Sequence, residues 1–315
     1  MYAPTTHILA LTVIQRERLL PVPGTVNVRA GQRVSATDVV AEARWAREHV
    51  LLDVARTLRI SAAAADKLIQ CKTGDELALN SLVASARGIF PREMRTPREG
   101  RVVVVGGGQI LLEVGDVNIE LRAGLPGLVT QVTPERGVMI RTAGSLIQGV
   151  WGNGRIETGL MISVMDKPDT ILESSKLDVS QRGSVILGGA CINPDALRAA
   201  AELPVRGLIL SSLHTSLISL AQQMRFPIVA MEGIGTLPMN NPAYRLLSTN
   251  IKRELTVNAE AFDRYTGARP EVIIPLPITN EPPPPNNIDS FAPGQQVRLR
   301  AAPHYGTVVT LVTLR

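Results

Sequence analysis

The chain has 315 residues, of which 45% are hydrophobic and 19% are charged, and its formal net charge at pH 7 is +5. This length and hydrophobic content exclude a largely disordered protein and predict two or three domains with buried cores. The small positive charge would favour encounters with an anionic partner, but it is too weak for a nucleic-acid footprint.

The N-terminal segment, the apolar stretches and the cysteines indicate the cellular compartment of the protein. The N-terminal segment has no basic residue before its short apolar run, and no apolar stretch of the sequence is long enough to span a bilayer. Cys71 and Cys191 lie far apart in apolar surroundings, which is typical of buried free thiols in a reducing compartment. We therefore expect a soluble cytoplasmic protein with no membrane partner.

The first predicted element is a strand over Thr6 to Ile14, which leads into a segment that occurs twice. Val26 to Ala43 returns 43 residues later as Ile69 to Ala86, and Gly31 matches Gly74. Each copy predicts a strand, a turn at the glycine and a second short strand. Such a doubled unit predicts two similar halves of one closed β core.

The pattern V-x-x-G-x-x-V before an apolar strand resembles the half-motif of lipoyl and biotinyl domains and of other barrel-sandwich hybrids. The phrase P-x-x-G-x-V at Pro97 to Val102 strengthens the resemblance, which covers about residues 20–150. Carrier members of that family hold a modified lysine at the hairpin tip, whereas this chain has Arg44 and Arg87 there. Because arginine stays protonated and cannot be acylated, we expect a rigid scaffold with no lipoyl, biotinyl or other cofactor.

The hydrophobic period changes between the two copies. Trp45 to Leu58 places apolar residues on one helical face, and Ser61 to Asp66 predicts a second short helix. We expect the helices to form an insertion, residues 45–66, that covers the β core.

From Arg101 onward, short β-rich runs separated by glycine turns predict an antiparallel meander. Gly106 to Gly108 is predicted to be a hairpin turn rather than a phosphate loop, because no helix, lysine and hydroxyl follow it. Ser145 to Met161, with four glycines and Trp151, predicts a tight loop over the mouth of the β domain. The β domain is predicted to span residues 1–178.

Strands then alternate with helices. Asn193-Pro194 marks a helix start after the strand Ser184 to Leu187, and two more strands, each followed by a helix, come after it. This alternation predicts a mainly parallel sheet, a Rossmann-like or swivelling α/β domain over residues 179–277.

The C-terminal part begins with a proline-rich linker over residues 278–292. Residues 293–315 contain G-x-x-V-R-L followed by P-H-Y-G-T-V-V, which resembles the KOW half of a small SH3-like barrel. That resemblance implies a β tail of a kind found in transcription and ribosome-associated proteins. The predicted fold is therefore multidomain, a duplicated β domain followed by an α/β domain and a short β tail.

Sequence motifs for catalysis are missing. The four histidines are isolated, no metal-ligand spacing such as H-x-x-x-H or C-x-x-C occurs, and there is no G-x-S-x-G elbow, P-loop or complete dinucleotide fingerprint. We therefore predict no metal site.

The remaining candidate site is topological. In an open parallel sheet, ligands bind beyond the carboxyl ends of the strands, where small residues and helix N-termini let backbone amides approach. We call these predicted ligand-binding residues the strand-end rim: Gly188, Gly189, Ser211, Ser212, His214, Thr215, Glu232, Gly233, Gly235 and Thr236. Glycines and serines also end strands simply because turns require them. If the rim is catalytic, Glu232 would be the general base with His214 as its partner.

Two functional hypotheses follow. One is a non-catalytic scaffold or adaptor that binds a protein or nucleic-acid partner. The other is an α/β domain that binds or acts on a small polar ligand, with the β domain as its lid. Neither hypothesis specifies an oligomeric state.

Overall fold

The computed structural model describes residues 2–4, 6–86, 91–263, 265–278, 282, 285, 288–299, 303–304 and 307–314. The strands of this part pair into one eleven-stranded mixed sheet, one five-stranded sheet and three two-stranded sheets. In chain order they are β1 (Tyr2–Pro4), β2 (Ile8–Leu19), β3 (Thr25–Val26), β4 (Arg33–Val34), β5 (Val39–Asp53), β6 (Glu76–Leu77), β7 (Leu82–Ala86), β8 (Arg92–Arg95), β9 (Gly100–Gly106), β10 (Gln109–Arg122), β11 (Gly127–Thr133), β12 (Gly137–Gln148), β13 (Trp151–Gly152), β14 (Ile156–Ser163), β15 (Ser184–Leu187), β16 (Gly207–Leu213), β17 (Ile228–Ile234), β18 (Glu254–Asn258), β19 (Glu271–Pro275), β20 (Ile288–Ser290), β21 (Gln296–Arg298) and β22 (Val308–Thr310).

The helices are short. They are α1 (Val54–Leu58), α2 (Ala62–Asp66), α3 (Pro194–Glu202), α4 (Ile218–Gln223) and α5 (Asn241–Ser248), with 3-10 turns at Ser174–Lys176, Val179–Gln181 and Thr215–Leu217. No helix in the described ranges is long and apolar enough to cross a membrane.

A ribbon of two long antiparallel strands, β5 and β10, organises the N-terminal half. It runs from Val39 opposite Arg122 to Asp53 opposite Gln109. Apolar side chains collect at its two ends in two separate clusters. We call the end made of residues 50–114 the distal lobe, and the end made of residues 8–43 and 117–146 the proximal lobe. The prediction of one closed core over residues 20–150 is therefore wrong, because each copy of the repeat closes against a strand of its own.

The two copies nevertheless have matching backbone geometry. Gly31 and Gly74 both adopt positive φ, 82° and 97°, and their amides donate to Val129 and Val102 at 2.8 Å each. The strand after the glycine pairs with β11 in the first copy and with β9 in the second. The same offset relates the bonds Asn27 N to Val40 O and Gln70 N to Val83 O, both 2.9 Å. The repeat is thus two copies of one structural unit.

The predicted helix over Trp45 to Leu58 is mostly wrong. The chain stays in strand β5 to Asp53, and only the last turn is helical. Leu52 is buried in the distal lobe and Val50 packs against the same cluster, while Leu51 between them is exposed, which is the alternation of a strand. Pairing with β10 along the whole ribbon overrides the weak helical pattern. The helix predicted over Ser61 to Asp66 is confirmed as α2.

Arg44 lies on this strand rather than at a hairpin tip, and its guanidinium pairs with Glu76 at 3.7 Å. Arg87 lies outside the described residues.

Two turn predictions had opposite outcomes. Gly106 pairs with Gln109 in a tight hairpin between β9 and β10, as predicted. The loop predicted over Ser145 to Met161 instead contains the end of β12, the short β13 and the start of β14. Its glycines allow close strand approach: a Cβ on Gly152 would lie 2.3 Å from the carbonyl oxygen of Ala259. Trp151 pairs with β17 as part of an edge strand.

The alternating part of the chain forms an α/β unit, residues 151–277. β14, β15, β16 and β17 are parallel neighbours, and β18 and β19 continue the sheet in antiparallel fashion. The parallel sheet therefore starts at β14, before the predicted boundary at residue 179. Residues of α3 and α4 are buried in the cluster on one face, and residues of α5 in the cluster on the other. β12 pairs with both β19 and β2, so the α/β unit and the proximal lobe share one sheet.

In the C-terminal part, β20 pairs with β1, and β21 pairs with β22. Much of the predicted proline-rich linker and part of the KOW-like tail lie outside the described residues. The resemblance to lipoyl-like and KOW-like modules stays a prediction.

The glycines that open β9 and β11 give a first testable prediction. A Cβ on Gly100 would lie 2.2 Å from Glu113 O, and one on Gly127 would lie 2.4 Å from Arg141 O. Since both obstacles are backbone of a paired strand, Gly100→Ala and Gly127→Ala should each lower the free energy of unfolding by about 1–3 kcal/mol. Gly207→Ala is the control, because its nearest neighbour is a proline side-chain atom at 3.3 Å. Equal urea midpoints for all three variants would contradict the prediction.

Candidate functional site

The structure brings the ends of β15, β16 and β17 together, as the sequence predicts for parallel neighbours. Gly188 and Gly189 follow β15, Ser211 and Ser212 lie near the end of β16, and Glu232 and Gly233 lie near the end of β17. All six are buried. The strand-end rim is therefore a packed edge at these six residues.

Backbone amides of the rim are already bonded within the chain. Gly188 N donates to Ile209 O at 2.8 Å, and Gly235 N donates to Leu213 O at 2.9 Å. A Cβ on Gly189 would lie 1.6 Å from Thr170 O, so the chain packs directly against this glycine. The glycines here allow strands to approach one another, and these amides are not available to a ligand.

Glu232 is the chemically distinctive residue of the rim. Its side chain is only 3% exposed. Its Oε1 accepts hydrogen bonds from Asn240 N at 2.8 Å and Asn240 Nδ2 at 2.6 Å. Asn240 in turn caps α5, because its Oδ1 accepts the amide of Ala243 at 2.8 Å. The positive N-terminus of α5 therefore faces the protein's own carboxylate, in the position that an anionic ligand would occupy.

The second carboxylate oxygen of Glu232 is held by the C-terminal tail. Arg298 of β21 places Nη1 2.5 Å from Glu232 Oε2, and its own side chain is a quarter exposed. A buried carboxylate requires such a partner, since isolated charge is costly to bury. We call Glu232, Asn240 and Arg298 the Glu232 cluster. It joins β17, the start of α5 and the tail at one point.

The remaining rim residues lie apart from this cluster. His214 and Thr215 are exposed, and His214 Nδ1 lies 2.9 Å from Ser216 Oγ at the start of a 3-10 turn. Thr236 is exposed in the loop after β17. Among the described residues, the predicted Glu232–His214 acid–base pair does not form.

Ser211 and Ser212 differ in the hydrogen bonding of their hydroxyl groups, and this difference gives a second testable prediction. Ser212 Oγ accepts from Leu237 N at 2.8 Å and donates to Leu237 O at 3.0 Å, whereas the buried Ser211 Oγ has no hydrogen-bond partner within the described part of the chain. Ser212→Ala should therefore lower the free energy of unfolding by about 1–3 kcal/mol, and Ser211→Ala should leave it unchanged or raise it. Urea unfolding of both variants checks this, and a larger loss in Ser211→Ala would contradict it.

Cys191, at the edge of the rim, is unsuited to nucleophilic chemistry. Burial raises the pKa of its thiol to about 12, although a hydrogen bond to the backbone of Asn193 acts in the opposite direction. The thiol is therefore protonated at neutral pH, and the reactive thiolate does not form. In the described ranges, no three His, Cys, Asp or Glu side chains gather as a metal-binding group.

Two clefts of the described surface, of 530 and 540 Å³, lie away from the rim. One is next to β11 and β12 and the other is at the opposite edge of the α/β unit, and neither is lined by a rim residue.

Sequence reasoning missed the two residues that complete the Glu232 cluster. Asn240 had a recognisable signal, because Asn240-Asn241-Pro242 is a helix start and the structure places the cap at Asn240. Arg298 had no signal, since it lies 66 residues from Glu232 in the chain.

Comparison of the chain with protein-family models, with curated proteins and with solved structures gives no significant match.

Proposed function

We propose that the protein is a non-catalytic scaffold that binds a protein partner. The observation that carries this proposal is the Glu232 cluster. The edge of a parallel sheet at which ligands usually bind is closed here by the protein's own carboxylate, helix cap and tail arginine. A ligand at this edge would have to displace all of these contacts.

The distal lobe supplies a surface for a partner. Leu51, Leu111 and Val104 lie directly opposite one another on β5, β10 and β9. Leu51 is 57% exposed and Val104 is 54% exposed. We call these three residues the apolar row. An apolar strip on an exposed sheet is the kind of surface that marks a protein interface.

The flanks of the apolar row are polar. On one side lies the cross-strand set His49, Glu113 and Arg101, and on the other Asp53 pairs with Gln109. An apolar centre with a polar border is the arrangement of protein interfaces. A nucleic acid would require a concentration of cations, and acidic side chains are interspersed here, so a protein partner fits the surface better.

Site-specific photocrosslinking in the native host tests the proposal. A photoreactive phenylalanine analogue at Leu51 should capture one defined protein, and the same analogue at Val179, which is 76% exposed on the α/β unit, should not. The captured protein, once purified, should bind the full chain, and Val104→Asp should weaken that binding at least tenfold. Capture of nucleic acid, or equal capture at both positions, would contradict the proposal.

The alternative is a small polar ligand at the rim, for which the unpartnered hydroxyl of Ser211 is the specific observation. A thermal-shift screen with nucleotides and acidic metabolites separates the two. A ligand present at a hundredfold excess over its dissociation constant adds about 2.7 kcal/mol of stability. If a ligand stabilises the wild type but not a Ser211→Leu variant, the scaffold proposal fails.

A further inference from the structure

The cleft of 530 Å³ lies on the outer surface of the proximal lobe, beside the segment that follows β19. None of its lining residues belongs to the Glu232 cluster or to the apolar row, and neither functional hypothesis uses it. Its wall combines apolar side chains with two arginines, Arg33 and Arg141.

The strand register sets the spacing of these groups. Leu128 on β11 lies opposite Arg141 on β12 and opposite Arg33 on β4. Since neighbouring strands are about 4.8 Å apart, the two arginine backbones are roughly 10 Å apart with Leu128 between them. Leu128 is 40% exposed, so an apolar surface lies between two cations.

The segment after β19 also lines the cleft. Leu276 N donates to Ala143 O at 3.1 Å, which fixes this segment against β12. Leu276, Pro277 and Ile278 of this segment line the cleft, together with Pro275 at the end of β19. A flat apolar group placed on Leu128 would therefore be in contact with apolar side chains on two sides.

The charges in the cleft have one sign. The described residues that line it include two arginines and no carboxylate. Arg141 already takes part in an intramolecular interaction, and we assign it only a contribution to the positive potential. The guanidinium of Arg33 has no hydrogen bond or ion pair with the described residues and is the group that can bind a ligand directly.

We propose that this cleft binds a small organic anion whose apolar body packs on Leu128, Leu276 and Ile278 and whose anionic group pairs with Arg33. The class comprises aryl or alkyl carboxylates, sulfonates and phosphate monoesters. The proposal is independent of the scaffold function, because it concerns different residues.

Calorimetric titration of the full chain with naphthalene-1-sulfonate tests the site, with 1-naphthalenemethanol as the neutral analogue and inorganic sulfate as the anion without an apolar body. We expect the sulfonate to bind at least tenfold more tightly than either analogue. Arg33→Gln should weaken sulfonate binding about tenfold or more, since it removes a charge-assisted hydrogen bond. Leu128→Ser should weaken it as well.

The second cleft supplies the control, because Arg225 lies there beside Met224 and Phe226. Arg225→Gln should leave the affinity within twofold of the wild type. Arg33 and Leu128 are exposed, and unchanged melting temperatures would show that these variants remain folded. If Leu128→Ser is unstable, the sulfonate affinity of Arg33→Gln by itself tests the proposal. The proposal would be overturned if the sulfonate did not bind or if the alcohol bound equally tightly. It would also be overturned if Arg225→Gln weakened sulfonate binding and Arg33→Gln did not.

Discussion

Replacing Arg16 by glutamine is expected to lower the free energy of unfolding by about 2–3 kcal/mol, which is close to the lower end for breaking a buried ion pair. Arg16 on β2 donates two hydrogen bonds to Glu271 on β19, at 3.1 and 2.7 Å. The Glu271 side chain is only 4% exposed, whereas that of Arg16 is 26% exposed and retains some contact with water. The variant leaves a buried carboxylate without its cation, so the loss exceeds that of a surface pair.

This pair also joins two parts of the fold, because β2 belongs to the proximal lobe and β19 to the α/β unit. Burial by itself lowers the pKa of Arg16. The charge of Glu271 and its hydrogen bonds raise this pKa by more, so the pKa of Arg16 is raised overall. Arg95→Gln is the control, because Arg95 and Glu93 form an exposed pair for which about 0.5 kcal/mol is expected. Equal urea midpoints for Arg16→Gln and Arg95→Gln would contradict the expectation.

The second large effect is expected for Glu232→Ala, which should lower the free energy of unfolding by about 2–4 kcal/mol. The change removes the acceptor of the Asn240 amide and side chain and leaves the Arg298 cation without its partner. Glu254→Ala on β18 is a suitable control, because Glu254 is exposed. If the two variants unfold at the same urea concentration, Glu232 is not the structural centre of the rim.

Several elements were predictable because their signals are local. Asn193 followed by proline fixes the start of α3 through a cap and a preset φ angle. The matching glycines of the repeat require the same positive φ in both copies, and so the sequence offset of 43 residues reappears in the hydrogen bonds.

The failures have a common cause, which is that the deciding contacts are distant in sequence. Trp45 to Asp53 has apolar spacing that suits a helical face, but pairing with residues of β10 that lie 56 to 72 positions further along the chain makes it a strand. The shared sheet of the proximal lobe and the α/β unit depends on β12 pairing with both β2 and β19. No local pattern specifies such neighbours.

The candidate site shows the same limit. The sequence predicted which strand ends meet, because parallel strands place their carboxyl ends at one edge. It did not predict that Arg298 and Asn240 satisfy Glu232, and these contacts change the expected role of the edge from a ligand site to an internal junction.

A double-mutant cycle between Glu232→Gln and Arg298→Gln tests most directly whether the tail closes the strand-end rim. Glu232→Gln keeps the side-chain size and removes the charge, and Arg298→Gln removes the guanidinium, so the cycle measures the ionic interaction that the structure shows at 2.5 Å. We expect a coupling energy of at least about 1 kcal/mol, because substitutions of contacting groups in one network do not have additive effects on stability. Losses of stability that add to within about 0.3 kcal/mol would mean that Arg298 does not hold Glu232 in solution, and the edge would then be open to a ligand.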